Sequence, residues 1–138
     1  MEHKKITIQT TVNAPLTTVW EYWTNPEHVM QWNAASDDWH TPSAANDLQT
    51  GGRFSFRMEA KDKSMGFDFS GTYTTVVPHK QISYVLEDDR TVDITFKETP
   101  EGVHITETFD IEQENPAEMQ RNGWQAILDT FKKYVEGK

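Results

Sequence analysis

The chain contains no cysteine, which removes disulfides, a thiol nucleophile and thiolate metal sites from consideration. It also lacks an apolar run long enough to span a bilayer. Its start, Met1-Glu2-His3-Lys4-Lys5-Ile6-Thr7, has no apolar signal core, so a cytoplasmic protein without membrane insertion is expected. Positive charge is scarce: 13 Lys and Arg face 22 Asp and Glu, a net charge of −9. Nucleic acids and anionic membranes are met by basic patches, so neither is an expected partner. His3, His28, His40, His79 and His104 are scattered, with no pair at i, i+4 on a helix, and no metal site is expected. Ser36, Ser43, Ser55, Ser64, Ser70 and Ser83 lack any nucleophile-elbow context. Gly51-Gly52 precedes a strand rather than a helix, so it is turn chemistry, not a phosphate loop. Repeats, low-complexity tracts and linkers are missing too. A single domain over 1–138, binding no cofactor and existing as a monomer or weak dimer, is the expectation.

What the chain does have is rings. Phe, Tyr and Trp make up 12% of a sequence whose hydrophobic content is only 36%, so burial must lean on aromatics. Ile6, Ile8, Thr10 and Val12 alternate with polar residues, which predicts a first half-buried strand ended by Asn13-Ala14-Pro15. A short helix over Leu16 to Trp23 follows, with Val19, Trp20 and Trp23 inward. Asn25-Pro26 breaks it and starts another over Glu27 to Trp32. The polar segment from Asn33 to Gly52 contains Pro42; it predicts a short strand near Asp38 to Thr41 and then a loop. From Gly52 onward the alternation is plain. Phe54, Phe56 and Met58 lie on one face, then Phe67, Phe69, Gly71 and Tyr73, then Ile82, Tyr84 and Leu86, then Val92, Ile94 and Phe96, and last Val103, Ile105, Glu107, Phe109 and Ile111. Turns at Asp62-Lys63-Ser64, Pro78-His79-Lys80, Asp88-Asp89 and Pro100-Glu101-Gly102 join these runs into an antiparallel meander.

One long helix closes the chain. Trp124, Ile127, Leu128, Phe131 and Val135 recur at helical spacing as one apolar stripe, behind Asn115 as a cap and Pro116 in the first turn. The order is therefore strand, two short helices, about six strands, long helix: an α+β protein whose one long rod covers a broad apolar sheet face. A rod on a curved sheet leaves space at its flanks.

Several separated motifs carry a resemblance. Val12-Asn13-Ala14-Pro15 with Val19-Trp20, Asn25-Pro26 and Trp32 is similar to the start of the START-like superfamily, the group that includes birch-pollen-allergen-like domains. Gly51-Gly52-Arg53-Phe54, Gly71-Thr72-Tyr73, Pro78, Asn115-Pro116, Gly123-Trp124 and Phe131-Lys132-Lys133-Tyr134 look like the stand-alone bacterial members related to the activator of heat-shock protein 90 ATPase. The resemblance implies a helix-grip fold, in which a curved antiparallel sheet of about six to seven strands wraps the long C-terminal helix around a cavity. It does not imply one activity, because this superfamily includes carriers, cyclases, hydrolases and co-chaperone domains.

Three functions are expected in that order. The first is binding of a small hydrophobic ligand, such as a lipid, polyketide or flavonoid-like compound, between sheet and helix. Its candidate contacts are Trp39, Phe54, Phe56, Met58, Phe67, Phe69, Tyr73, Tyr84, Phe96, Glu107, Trp124, Ile127, Leu128 and Phe131. The second is a co-chaperone-like domain with a chaperone partner, although the additional N-terminal domain of the eukaryotic activators is not seen in this sequence. The third is a cyclase or hydrolase, for which Glu107 is the one candidate acid or base. Glu107 occupies an inward slot of the last strand, where a carboxylate is costly unless paired or protonated, so it is either a polar anchor or acid/base group in the cavity, a residue turned outward by a bulge, or a carboxyl hydrogen-bonded to a neighbouring Tyr or Trp. Gly123 marks either close packing of helix on sheet or a widened cavity mouth; packing is the expected reason. Trp39 is either a lid or a loop anchor.

Overall fold

Period-two alternation organises most of the chain, as the computed structural model shows; it describes residues 5–34, 36–112 and 116–137. Strand β1 (Lys5–Val12) is followed by helices α1 (Leu16–Thr24) and α2 (Pro26–Trp32). Then come β2 (Trp39–Asn46), β3 (Arg53–Ala60), β4 (Gly66–Val77), β5 (Gln81–Leu86), β6 (Thr91–Thr99) and β7 (Gly102–Asp110), and finally α3 (Ala117–Glu136). The seven strands form one antiparallel sheet in the order β1-β7-β6-β5-β4-β3-β2, curled into a half-barrel around α3. Strands β2 to β7 pair with their sequence neighbours through tight turns, and only β1 joins from a distance, beside β7.

Register places the inward residues in rows across the sheet. Ile8, Glu107, Ile94 and Ile82 form one row, and Ile6, Phe109, Val92 and Tyr84 the next. At β3–β4, Phe56 faces Phe69 and Phe54 faces Gly71. A Cβ on Gly71 would stand 2.4 Å from the Val85 carbonyl and 3.1 Å from the Phe54 ring, so the missing side chain is what lets Phe54 lie across the sheet.

The final helix sits off-centre, for a reason visible in its flank. β1 is an edge strand, and alternate carbonyls along it point away from the sheet. Arg121 donates to the Thr7 carbonyl (3.4 Å), Gln125 to Gln9 (3.4 Å) and Lys132 Nζ to Thr11 (2.6 Å). Glu136 accepts from the Asn13 backbone N–H at 2.8 Å. The helix is thereby clamped along one edge of the sheet while Leu128, Phe131 and Val135 sink into the core. The link from β7 is held by Gln120, whose side chain accepts from Glu112 N (2.8 Å) and donates to Glu112 O (3.2 Å).

Two expectations change. The segment read as a short strand and a loop is an eight-residue edge strand, β2, in spite of Pro42. Proline is tolerated there because the pairing with β3 shifts between His40 and Ser43, so no ladder bond to its missing N–H is needed. Gly123 does not mark close packing: nothing lies within 4 Å of where its Cβ would stand. The cap assigned to Asn115 falls outside the described residues, and Pro116, at the N-cap position, offers no side-chain bond.

Candidate functional site: an aromatic cavity under the last helix

Because α3 is pinned to the β1 edge, its other flank stands away from β3 and β4, and a cavity of ≈ 260 Å³ fills the gap. Its walls contain eleven of the fourteen residues expected there: Phe54, Phe56, Met58, Phe67, Phe69, Tyr73, Tyr84, Glu107, Trp124, Ile127 and Leu128. Phe54 is the hub of the floor, with ring centroids 5.2 Å from Phe56, 5.1 Å from Tyr73 and 4.7 Å from Tyr84. Trp124 hangs from the helix, stacked on Phe109 at 4.1 Å and edge-on to Phe69 at 6.0 Å. Phe67 is 46% exposed and lies at the rim, beside the still more exposed Met65 of the β3–β4 turn.

The other three expected residues stand elsewhere. Phe96 and Phe131 belong to a second, closed cluster: Phe131 meets Trp23 and Trp32 edge-on at 4.8 Å each, and Phe96 meets Trp20 at 5.4 Å. These rings have no empty space to face because the tryptophans of α1 and α2 fill it. Trp39 lines a separate polar depression with Thr41, Lys61, Thr130 and Lys133, and reaches the rim only through Phe67, 6.1 Å away. Residues not anticipated also line the cavity: Trp23, Thr24, Trp32, Asn33, Ile82, Arg90, Ile94 and Glu112. Ile82 and Ile94 were legible as inward strand positions. Asn33 and Glu112, in connections, carried no periodic signal.

The polar groups are few and unequal. Tyr73 donates to Asn46 Oδ1 (2.7 Å), and Asn46 Nδ2 in turn donates to the Thr24 carbonyl (2.7 Å), which ties the sheet to the end of α1. Burial pushes the Tyr73 hydroxyl pKa above its ordinary value. Arg90 is engaged by Asp88 at 2.7 Å. Glu107, in contrast, is only 6% exposed and sits in the isoleucine row, and among the described residues its carboxyl has neither a hydrogen bond nor an ion pair. Burial raises its pKa from 4.5 to about 8, so it is a neutral acid at pH 7. The Tyr84 hydroxyl is likewise without a partner among the described residues; its pKa is raised by burial and then by nearby Glu107. Asn33 Nδ2 is the one fully enclosed side-chain nitrogen or oxygen atom without a partner among the described residues, whereas the Glu107 and Tyr84 oxygens open onto the cavity.

The outward reading of Glu107 by a bulge is thus excluded, since β7 pairs regularly with both neighbours, and no hydrogen bond joins it to a Tyr or Trp among the described residues. Among the described residues no three His, Cys, Asp or Glu side chains gather as a metal site. No helix among them is long and apolar enough to cross a membrane.

A curled sheet gripping one helix over an aromatic cavity defines a helix-grip, START-like protein. Residues 13–136 match the family described as activator of Hsp90 ATPase homolog 1-like protein, and the chain belongs to that family. Among solved structures it is similar to the AHSA1-like protein from Aeromonas hydrophila, with 46% identity, a TM-score of 0.92, and coverage of 97% of this chain and 93% of that one. A Cytophaga hutchinsonii protein is 49% identical, with a TM-score of 0.84 over 96% of this chain and 92% of its own. Protein CV1439 from Chromobacterium violaceum shares the fold at 22% identity, with a TM-score of 0.85 over 96% of this chain and 97% of its own. No curated protein matches the chain at a significant level.

Proposed function

We propose that the protein binds a small, mainly apolar molecule in the cavity between β3–β5, β7 and α3. The observation that supports this best is an aromatic cavity next to a buried carboxyl without a partner among the described residues, where a structural core would have placed one more hydrocarbon. Rings pressed against Phe54, Phe69 and Trp124 would supply most of the affinity, at ~25 cal/mol per Å² of apolar surface removed from water. The volume is at the small end for ligand sites and suits a one- or two-ring molecule more than a long lipid. A ligand at a hundred times its dissociation constant should stabilise the fold by about 2.7 kcal/mol. Thermal shift against a library of aromatic compounds, with native mass spectrometry of whatever copurifies, tests the reading. A diverse library that leaves the melting temperature unmoved would defeat it.

Family membership favours a second reading, a co-chaperone-like domain that touches an Hsp90-type chaperone. Stimulation of that chaperone's ATPase by this protein is its test. Catalysis by Glu107 gains less support, because the cavity wall offers one neutral acid and no separate base beside it except Glu112.

A further inference from the structure

Besides Asn33 Nδ2, two groups of the cavity wall, the Glu107 carboxyl and the Tyr84 hydroxyl, have no hydrogen-bond partner among the described residues. Glu107 comes from β7 and Tyr84 from β5, and β6 lies between them, with Ile94 opposite Glu107 and Val92 opposite Tyr84. Both side chains line the same space. Glu107 is flanked by Ile8 and Ile94; Tyr84 is flanked by Val92 and by Tyr73, whose own hydroxyl is taken by Asn46, with Phe54 edge-on to its ring. A hydroxyl or carboxyl that opens onto a cavity with no partner in the protein is satisfied best by the cavity's occupant, and two such groups facing one void define what would fill it.

Building on the cavity as a ligand site, we propose that its occupant is an uncharged aromatic molecule carrying a carbonyl oxygen, held at the floor by the Glu107 carboxyl and the Tyr84 hydroxyl together. A carboxyl in an apolar row with no cation against it keeps its proton and offers an O–H, and a phenol offers another. A carbonyl oxygen has two lone pairs and takes both. A carboxylate ligand would bring a charge into a site whose cation, Arg90, already holds Asp88. The titratable or charged groups facing Glu107 across the cavity are Tyr84, Tyr73, Arg90 and Glu112; the described wall residues from α1, α2, α3, β3 and β6 bear none.

The test uses three probes of one shape: 2-acetylnaphthalene, 2-ethylnaphthalene and 2-naphthoate, titrated by calorimetry or ligand fluorescence. At pH 6.5 the ketone should bind about tenfold tighter than the hydrocarbon, with the carboxylate weakest. At pH 9.5 Glu107 is ionised and only accepts, so the ketone's advantage should vanish. Glu107→Gln keeps an N–H donor and should retain the advantage at both pH values. Glu107→Leu and Tyr84→Phe should each erase most of it, read as the ratio of ketone to 2-ethylnaphthalene affinity within the same variant. Naphthoate binding as tightly as the ketone would overturn the proposal in favour of an Arg90 anion site. Equal binding of ketone and hydrocarbon would overturn it while leaving the apolar cavity standing, and binding of none of the three would take down both.

Discussion

Glu107 fills an alternation slot that Val103, Ile105 and Phe109 fill with hydrocarbon on the same strand, and that contrast has a measurable consequence. The folded carboxyl holds its proton to about pH 8, while the unfolded one releases it near 4.5. Between those values the folded state binds more protons, so its stability falls as pH rises and levels off above about 8. At ~1.4 kcal/mol per unit, the loss is on the order of a few kcal/mol. Urea unfolding of the unliganded protein from pH 5 to 8.5 should show this decline, and Glu107→Gln should flatten it. A slope unchanged in the variant would mean that the carboxyl is hydrated in solution. Asp110 behaves oppositely. Its burial alone would raise its pKa, but bonds from Lys5 (2.7 Å) and from Thr91 N (2.7 Å) and Oγ1 (2.9 Å) hold it below the usual range. Its contribution is present above pH ~4 and is lost on acidification through the lowered pKa.

At the scale of elements, α3 is two surfaces with different work. The stripe Leu128, Phe131 and Val135 carries the stability, and Phe131 is wholly buried between Trp23 and Trp32. Phe131→Ala should therefore cost about 3–5 kcal/mol by equilibrium unfolding. The flank toward the cavity contributes less and leaves room. Gly123 lies in open space within a regular helix, so Gly123→Ala should raise stability by about 1 kcal/mol with no clash to offset it. A destabilising result there would show that the helix moves closer to the sheet than its clamps on Thr7, Gln9 and Thr11 imply. β2 shows how an element can be hidden: Pro42 and a polar composition mask a strand that an edge position and a bulge make workable.

For the whole molecule, the acidic surface and the apolar interior point to different partners. A net charge of −9 makes the chain repel itself, so moderate salt should raise the melting temperature by screening. Ligand binding should be nearly indifferent to that salt, since the cavity wall is mostly apolar and its one acid nearest the floor is neutral. A titration of 2-acetylnaphthalene at 50 and 500 mM NaCl checks both; a steep loss of affinity with salt would indicate an ionic anchor instead.

Apart from β2, the strand positions, the meander, both short helices and the apolar stripe of α3 were legible because they are local periodicities, readable over a few turns or pleats. The inward placement of Glu107 followed from the same counting, and eleven of the fourteen expected residues do line the cavity. Which rings meet empty space was not legible. Phe96 and Phe131 look the same in sequence as Phe54 and Phe69, yet the tryptophans of α1 and α2 close over one set and not the other. The hollow exists because bonds across 114, 116 and 121 residues draw α3 to the β1 edge, and no local pattern records so distant a pairing. Sequence alone determined every part but β2, with their inner faces; the lateral position of one helix, a tertiary quantity, decided where the molecule is hollow.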